Sequence, residues 1–130
     1  MGPISPLNHI VAFIQPARLD AVVDSLRALP HFPGLSVSEG RGFGAPAPDA
    51  RPAGAEAPRP QLEVNVRIDI FCRPSELVAI IETIRRVANS GKAGDGKIFA
   101  SPAMLAYRIR TGEWGEGALL PAAARERSFE

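Results

Sequence analysis

The sequence predicts an α+β fold of ferredoxin-like type, βαββαβ, in which one antiparallel sheet carries both helices on the same face. Three observations predict it. Between residues 63 and 72, Val64, Val66, Ile68, Ile70 and Cys72 alternate strictly with Glu63, Asn65, Arg67, Asp69 and Phe71, the two-residue period of a strand with one buried face. Two other stretches carry apolar residues at helical spacing: Leu19, Val22, Val23, Leu26 and Leu29, then Leu77, Ile80, Ile81, Ile84 and Val87. Short strand candidates stand before the first helix, after it and after the second, which completes the split order.

Taken in order, residues 10–15 (IVAFIQ) are an apolar run stopped by Pro16, suited to a buried first strand. The first helix follows and is ended by Pro30 and by Pro33-Gly34. Residues 35–39 read as the second strand and 63–72 as the third. Ser75 is placed to cap the second helix, which ends near Asn89, Ser90 and Gly91. Residues 98–100 form a short last strand. Such a sheet has a second face with no helix on it, still partly apolar, and an oligomer supplies the cover.

With 130 residues, 45% of them hydrophobic and 22% charged, the chain fits one domain over residues 1–130 with an ordinary core. A net charge of +1 lacks the basic excess that nucleic-acid binding needs. No apolar run reaches membrane-spanning length, and the opening MGPISPLNH lacks the charged and apolar regions of an export signal, so a cytoplasmic protein without membrane insertion is expected. The single cysteine, Cys72, excludes an internal disulfide and a cysteine metal cluster; on the apolar face of its strand it reads as a small core residue. His9 and His31 lie apart, with no carboxylate or cysteine at ligand spacing, and read as solvated. Neither a metal site nor a catalytic set is expected.

The chemistry concentrates in residues 90–99 (SGKAGDGKIF) and 108–113 (RIRTGE). Glycines let backbone amides approach an anion, and Lys97, Arg108 and Arg110 supply the countercharge. Arg108 and Arg110 are two apart, so on a strand they share a face. Gly91 to Lys97 spells G-x-x-x-x-G-K, but Ile98 replaces the magnesium-holding hydroxyl and a helix precedes the loop, which excludes a P-loop NTPase. A plain glycine turn with solvated basic neighbours is the alternative to phosphate binding.

Residues 94–99 (GDGKIF) and 108–113 (RIRTGE), with Ala118-Leu119 beyond, resemble the nucleotide-binding B-loop and C-terminal signature of PII signal-transduction proteins. The resemblance extends to residues 10–20 (IVAFIQPARLD) and to 36–44 (SVSEGRGFG), the entry to that family's T-loop, and so covers most of 10–119. It implies a homotrimer with adenine-nucleotide clefts between subunits. Carried over by motif, Gly94, Asp95, Gly96 and Lys97 would wrap the phosphates, with Arg108 and Arg110 arriving from a neighbouring subunit. Ser36 stands where a Thr is usual and Asp69 where a Glu is usual, with Gly42 and Phe71 at pocket-wall positions.

The departures lie in the loop. Residues 45–61 (APAPDARPAGAEAPRPQ) hold five prolines and six alanines without periodicity, a flexible segment at the place of the T-loop, which the resemblance assigns to 45–63. Ala45-Pro46 replaces the Gln that helps bind magnesium and 2-oxoglutarate, and Asn65 stands for the Lys that pairs with that ligand. From Ala45 to Pro74 there is no Tyr, Ser or Thr to modify. Tyr107 reads as a packed residue, Trp114 as a subunit-interface residue, and 120–130 as a tail without a role.

The expectation is a PII-like regulator that is not an enzyme. It binds ATP, ADP or AMP and acts on a target protein, a transporter or metabolic enzyme, through residues 45–63. Bicarbonate in inorganic-carbon metabolism is the candidate second ligand in place of 2-oxoglutarate. The alternative is a standard nitrogen-status regulator of an ammonium transporter or nitrogen-control enzyme.

Overall fold

The computed structural model describes residues 2–45, 54, 59 and 61–121. Its elements run β1 (Leu7–Ile14), α1 (Leu19–Arg27), β2 (Ser36–Gly42), β3 (Glu63–Cys72), α2 (Leu77–Ala88) and β4 (Gly96–Ala103). The strands form one sheet in the order β2-β3-β1-β4, every pairing antiparallel, which is the ferredoxin-like α+β arrangement. β1 and β3, each with a continuous buried apolar row, are central; β2 and β4, with no fully buried residue, take the edges.

The core lies between the sheet and the two helices. Ile10, Ala12 and Ile14 of β1 and Val66, Ile68, Ile70 and Cys72 of β3 meet Val22 and Leu26 of α1 and Ile80, Ile84 and Ala88 of α2. The helical spacing of the sequence places these side chains inward, and each large one contributes about 1.5–3 kcal/mol by leaving water. Among the described residues the one buried hydroxyl, that of Thr83, is satisfied by donating to the Ala79 carbonyl at 2.7 Å.

Helix starts differ from expectation. Both helices follow short 3₁₀ turns, Pro16–Arg18 and Pro74–Glu76, each opened by a proline whose missing N–H costs nothing there. Ser75 sits inside the second turn and does not cap α2; the Glu76 carboxylate instead accepts from the Arg73 backbone N–H at 3.0 Å and from Arg73 Nε at 3.1 Å. The edge strands are also longer than expected. β4 takes in Gly96, Lys97, Ser101 and Pro102 because each pairs in register with β1, and Pro102 is tolerated on an edge. β2 continues through Gly40 to Gly42 against Asn65 to Glu63.

Most of the expected 45–63 loop and of the 120–130 tail falls outside the described residues.

Candidate functional site

The helix-free face of the sheet is built by the alternation of its strands. One rung runs Lys97, Phe13, Arg67, Ser38 across β4, β1, β3 and β2; the next runs Phe99, Val11, Asp69, Ser36; a third joins Ser101, His9 and Phe71. Ser36, Asp69, Phe71 and Lys97 therefore share this face. Phe71 and Phe99 remain about half exposed there, at 46% and 54%.

Asp69 is the electrostatic centre of the face. Arg67 donates to it from Nε at 2.9 Å and from Nη2 at 3.0 Å, and His9 Nε2 donates to Oδ1 at 2.8 Å. The Arg67 hydrogen bond, assisted by His9 and opposed by partial burial, lowers the Asp69 carboxyl to about 2. Because that carboxylate can only accept, His9 carries its proton on Nε2. His9 also stacks on Phe71, ring centroids 4.4 Å apart and planes within 12°. The reading of His9 as solvated is corrected: β1 and β3 pair it across the sheet with groups far away in sequence. Arg67 itself lies over the Phe13 ring, 5.8 Å from its centroid.

The glycine loop closes one end of the sheet. Asp95 accepts from the backbone N–H of Ser90 at 2.7 Å, from that of Gly91 at 3.1 Å and from the Ser90 hydroxyl, and these bonds, the hydroxyl foremost, lower its carboxyl. Gln15, the residue after β1, donates from Nε2 to the Gly94 carbonyl. Gly94 and Gly96 have φ of +91° and +108°, and a Cβ at Gly96 would overlap the Phe13 carbonyl. Asp95 thus shapes the loop from inside, while Lys97 projects from the start of β4. A cleft of about 450 Å³ opens beside it, lined by Phe13, Ile84, Arg85, Asp95, Lys97 and Ile98 among others.

Arg108 and Arg110 do not lie on a strand, so their shared face is corrected to a turn. The Arg108 carbonyl accepts from Gly112 N–H and its own N–H donates to the Glu113 carbonyl, both at 2.8 Å, with Gly112 at φ +73°. A local glycine and the Thr111 hydroxyl, bonded to Glu113, favour the turn over continued extension. Nor does one chain bring these arginines to Lys97. β4 carries the chain away from the loop over seven steps, about 24 Å at strand rise. The following segment sits at the far end of the sheet: the Trp114 ring lies within 3.8 Å of where a Gly2 Cβ would stand, and Arg73, next to Cys72 and raised first by its hydrogen bond to Glu76, also feels the Glu116 carboxylate. Tyr107, expected to be packed, is 51% exposed and pairs through its backbone with Trp114.

Sequence reasoning assigned no role to Gln15, Ser90, Arg67 or His9 in this arrangement. Asp95 five residues after Ser90, and Asp69 two residues after Arg67 on one strand face, are local signals that could have found two pairs; the contacts of Gln15 and His9 join elements distant in sequence. Among the described residues, no group of three or more His, Cys, Asp and Glu side chains is arranged for a metal, and no helix is long and apolar enough to cross a membrane.

Comparison with known proteins agrees with this fold. The family profile "Nitrogen regulatory protein P-II" matches residues 7–113. The nitrogen regulatory protein P-II of Cereibacter sphaeroides is 37% identical over 113 residues, covering 87% of this chain and 100% of the relative. The P-II homolog of Arabidopsis thaliana is 34% identical over 117 residues, 89% of this chain, which spans only 59% of that relative's length. Nitrogen regulatory protein GlnK of Escherichia coli K12 is 33% identical over 113 residues, with 87% and 100% covered. Among solved structures, that of Arabidopsis thaliana PII bound to citrate superposes with a TM-score of 0.72 at 29% identity, over 91% of this chain and 94% of the other.

Proposed function

The chain belongs to the nitrogen regulatory protein P-II family, and on that premise we propose that it is a homotrimeric, non-catalytic signal-transduction protein of the cytoplasm that binds ATP, ADP or AMP between subunits and regulates a target protein through residues 45–63. The observation that carries the reading is the separation of the two basic motifs. Lys97 and the glycine loop stand at one end of the sheet and the Arg108–Arg110 turn at the other, so a single chain cannot close both on one polyphosphate. A neighbouring copy can. The helix-free face gives that copy a reason to dock, since Phe71 and Phe99 stay half exposed on it.

Within such a cleft, the backbone of Gly94, Asp95 and Gly96 and the Lys97 ammonium hold the phosphates with Arg108 and Arg110 of the adjoining subunit. Ser36, Asp69, Gly42 and Phe71 line the base end. A ligand reports itself by binding two conformations of the 45–63 loop with different affinity, and phosphate number supplies that difference.

Asn65 supports a departure from 2-oxoglutarate sensing. Its uncharged amide lies against Gly40 and Gly42, within 3.4 and 3.5 Å of where their Cβ atoms would stand, and it offers no cation to a dicarboxylate. Bicarbonate is the second ligand we propose instead, on the resemblance of the divergent 45–63 segment to the inorganic-carbon branch of the family and not on Asn65. The nitrogen-status reading draws on the relatives' names, and a 2-oxoglutarate-dependent gain in ATP affinity would select it.

Subunit complementation tests the shared cleft. Lys97→Ala and Arg110→Ala should each lose most ATP binding alone, whereas refolded mixtures should regain it in about a quarter of clefts. Mixtures as inactive as their parents would contradict a cleft built from two subunits.

A further inference from the structure

Arg108 is engaged by its own chain. Nη2 donates to the carbonyls of Ala118, at 3.2 Å, and Leu120, while Nε lies 3.3 Å from Glu113 Oε1. Both side chains are largely buried, at 21% and 15% exposure. The two carbonyls belong to a 3₁₀ turn, Gly115–Leu119, and its C-cap; Gly115 N–H ties the turn to Ala106 at 2.9 Å, and Leu120 N–H closes it on Gly117 at 3.4 Å. The arginine is therefore a main anchor of this segment.

A guanidinium grips an oxyanion through one of two edges, Nε with Nη2 or Nη1 with Nη2, and both edges include Nη2. Here Nη2 is committed to carbonyls. A phosphate can be held bidentately only after Nη2 has left them, and the charge-assisted bonds it offers are stronger than those of neutral carbonyls.

We propose that residues 115–120 are an intramolecular competitor for Arg108, so that capture of a nucleotide phosphate by Arg108 releases this segment. The inference rests on the reading of Arg108 as a phosphate-binding side chain. Occupancy is thereby signalled at the Trp114 end of the sheet as well as through the 45–63 loop, and the release opposes binding until the ligand outcompetes the carbonyls.

Hydrogen exchange of the Gly115 to Leu120 amides, followed in the full chain with and without saturating ATP, tests it. ATP should speed their exchange several-fold. Arg108→Ala should reach the same rate with no ligand, and Arg108→Lys, which keeps charge but loses the fork, should fall between. Calorimetry on the same samples separates the failures: ATP that binds the native chain without speeding exchange overturns the competitor alone, whereas no ATP binding removes the nucleotide reading and the competitor together.

Discussion

A Cβ on Gly96 would stand 1.7 Å from the Phe13 carbonyl oxygen and 2.8 Å from the carbonyl carbon. The glycine lies where β4 enters the sheet, opposite Ile14, at φ +108°. Backbone meets backbone here, and no side-chain rotation relieves the contact. Gly96→Ala should cost about 2–4 kcal/mol, from clash and left-handed strain together. Gly91→Ala, at φ +78° but with open space around it, should cost only about 1 kcal/mol. Thermal melts of the two variants make the comparison; equal losses would mean that the close approach does not constrain the loop.

The Asp69 network sets an acid limb of stability. Its folded pKa, about 2, lies below the ordinary 3.8, so the native state holds this carboxylate more readily than the unfolded chain does. The contribution is complete above the unfolded value and is lost as pH falls through 3.8 toward 2. It amounts to at most about 2 kcal/mol by linkage. Asp69→Asn should flatten that part of the stability profile, measured by urea unfolding between pH 2 and 6. A profile as steep as the native one would assign the acid limb to other carboxylates.

Cys72 should be inert in the folded protein. It is fully buried under the helices, and burial, with Glu76 adding its charge, pushes the thiol up to about 11. Alkylation at pH 8 should therefore be slow and should speed up sharply only in denaturant. Rapid labelling of the native chain would contradict this core.

What the sequence disclosed and what it hid divide along one physical line. Val66 to Cys72, Val22 with Leu26, and Ile80 with Ile84 were legible because periodicity records which side of an element faces the core. Gly96 and Lys97 were read as loop, since nothing local shows that β1 pairs with them. Arg108 and Arg110 looked like a strand pair because spacing of two was weighed without the Gly112 turn that follows. His9 and Asp69 are sixty residues apart, and only the β1–β3 register brings them together. The glycine motif supplied the candidate site residues. It did not show that its cationic halves stand at opposite ends of one sheet.

The central claim is tested most directly by calorimetric titration of the purified full chain with ATP and with ADP, each with and without magnesium, 2-oxoglutarate and bicarbonate. Both nucleotides should bind saturably, unaffected by 2-oxoglutarate, altered by bicarbonate, and weakened at least tenfold by Lys97→Ala, a loss of about 1.4 kcal/mol or more. No heat and no saturation with either nucleotide, in a sample shown to be folded, would contradict it.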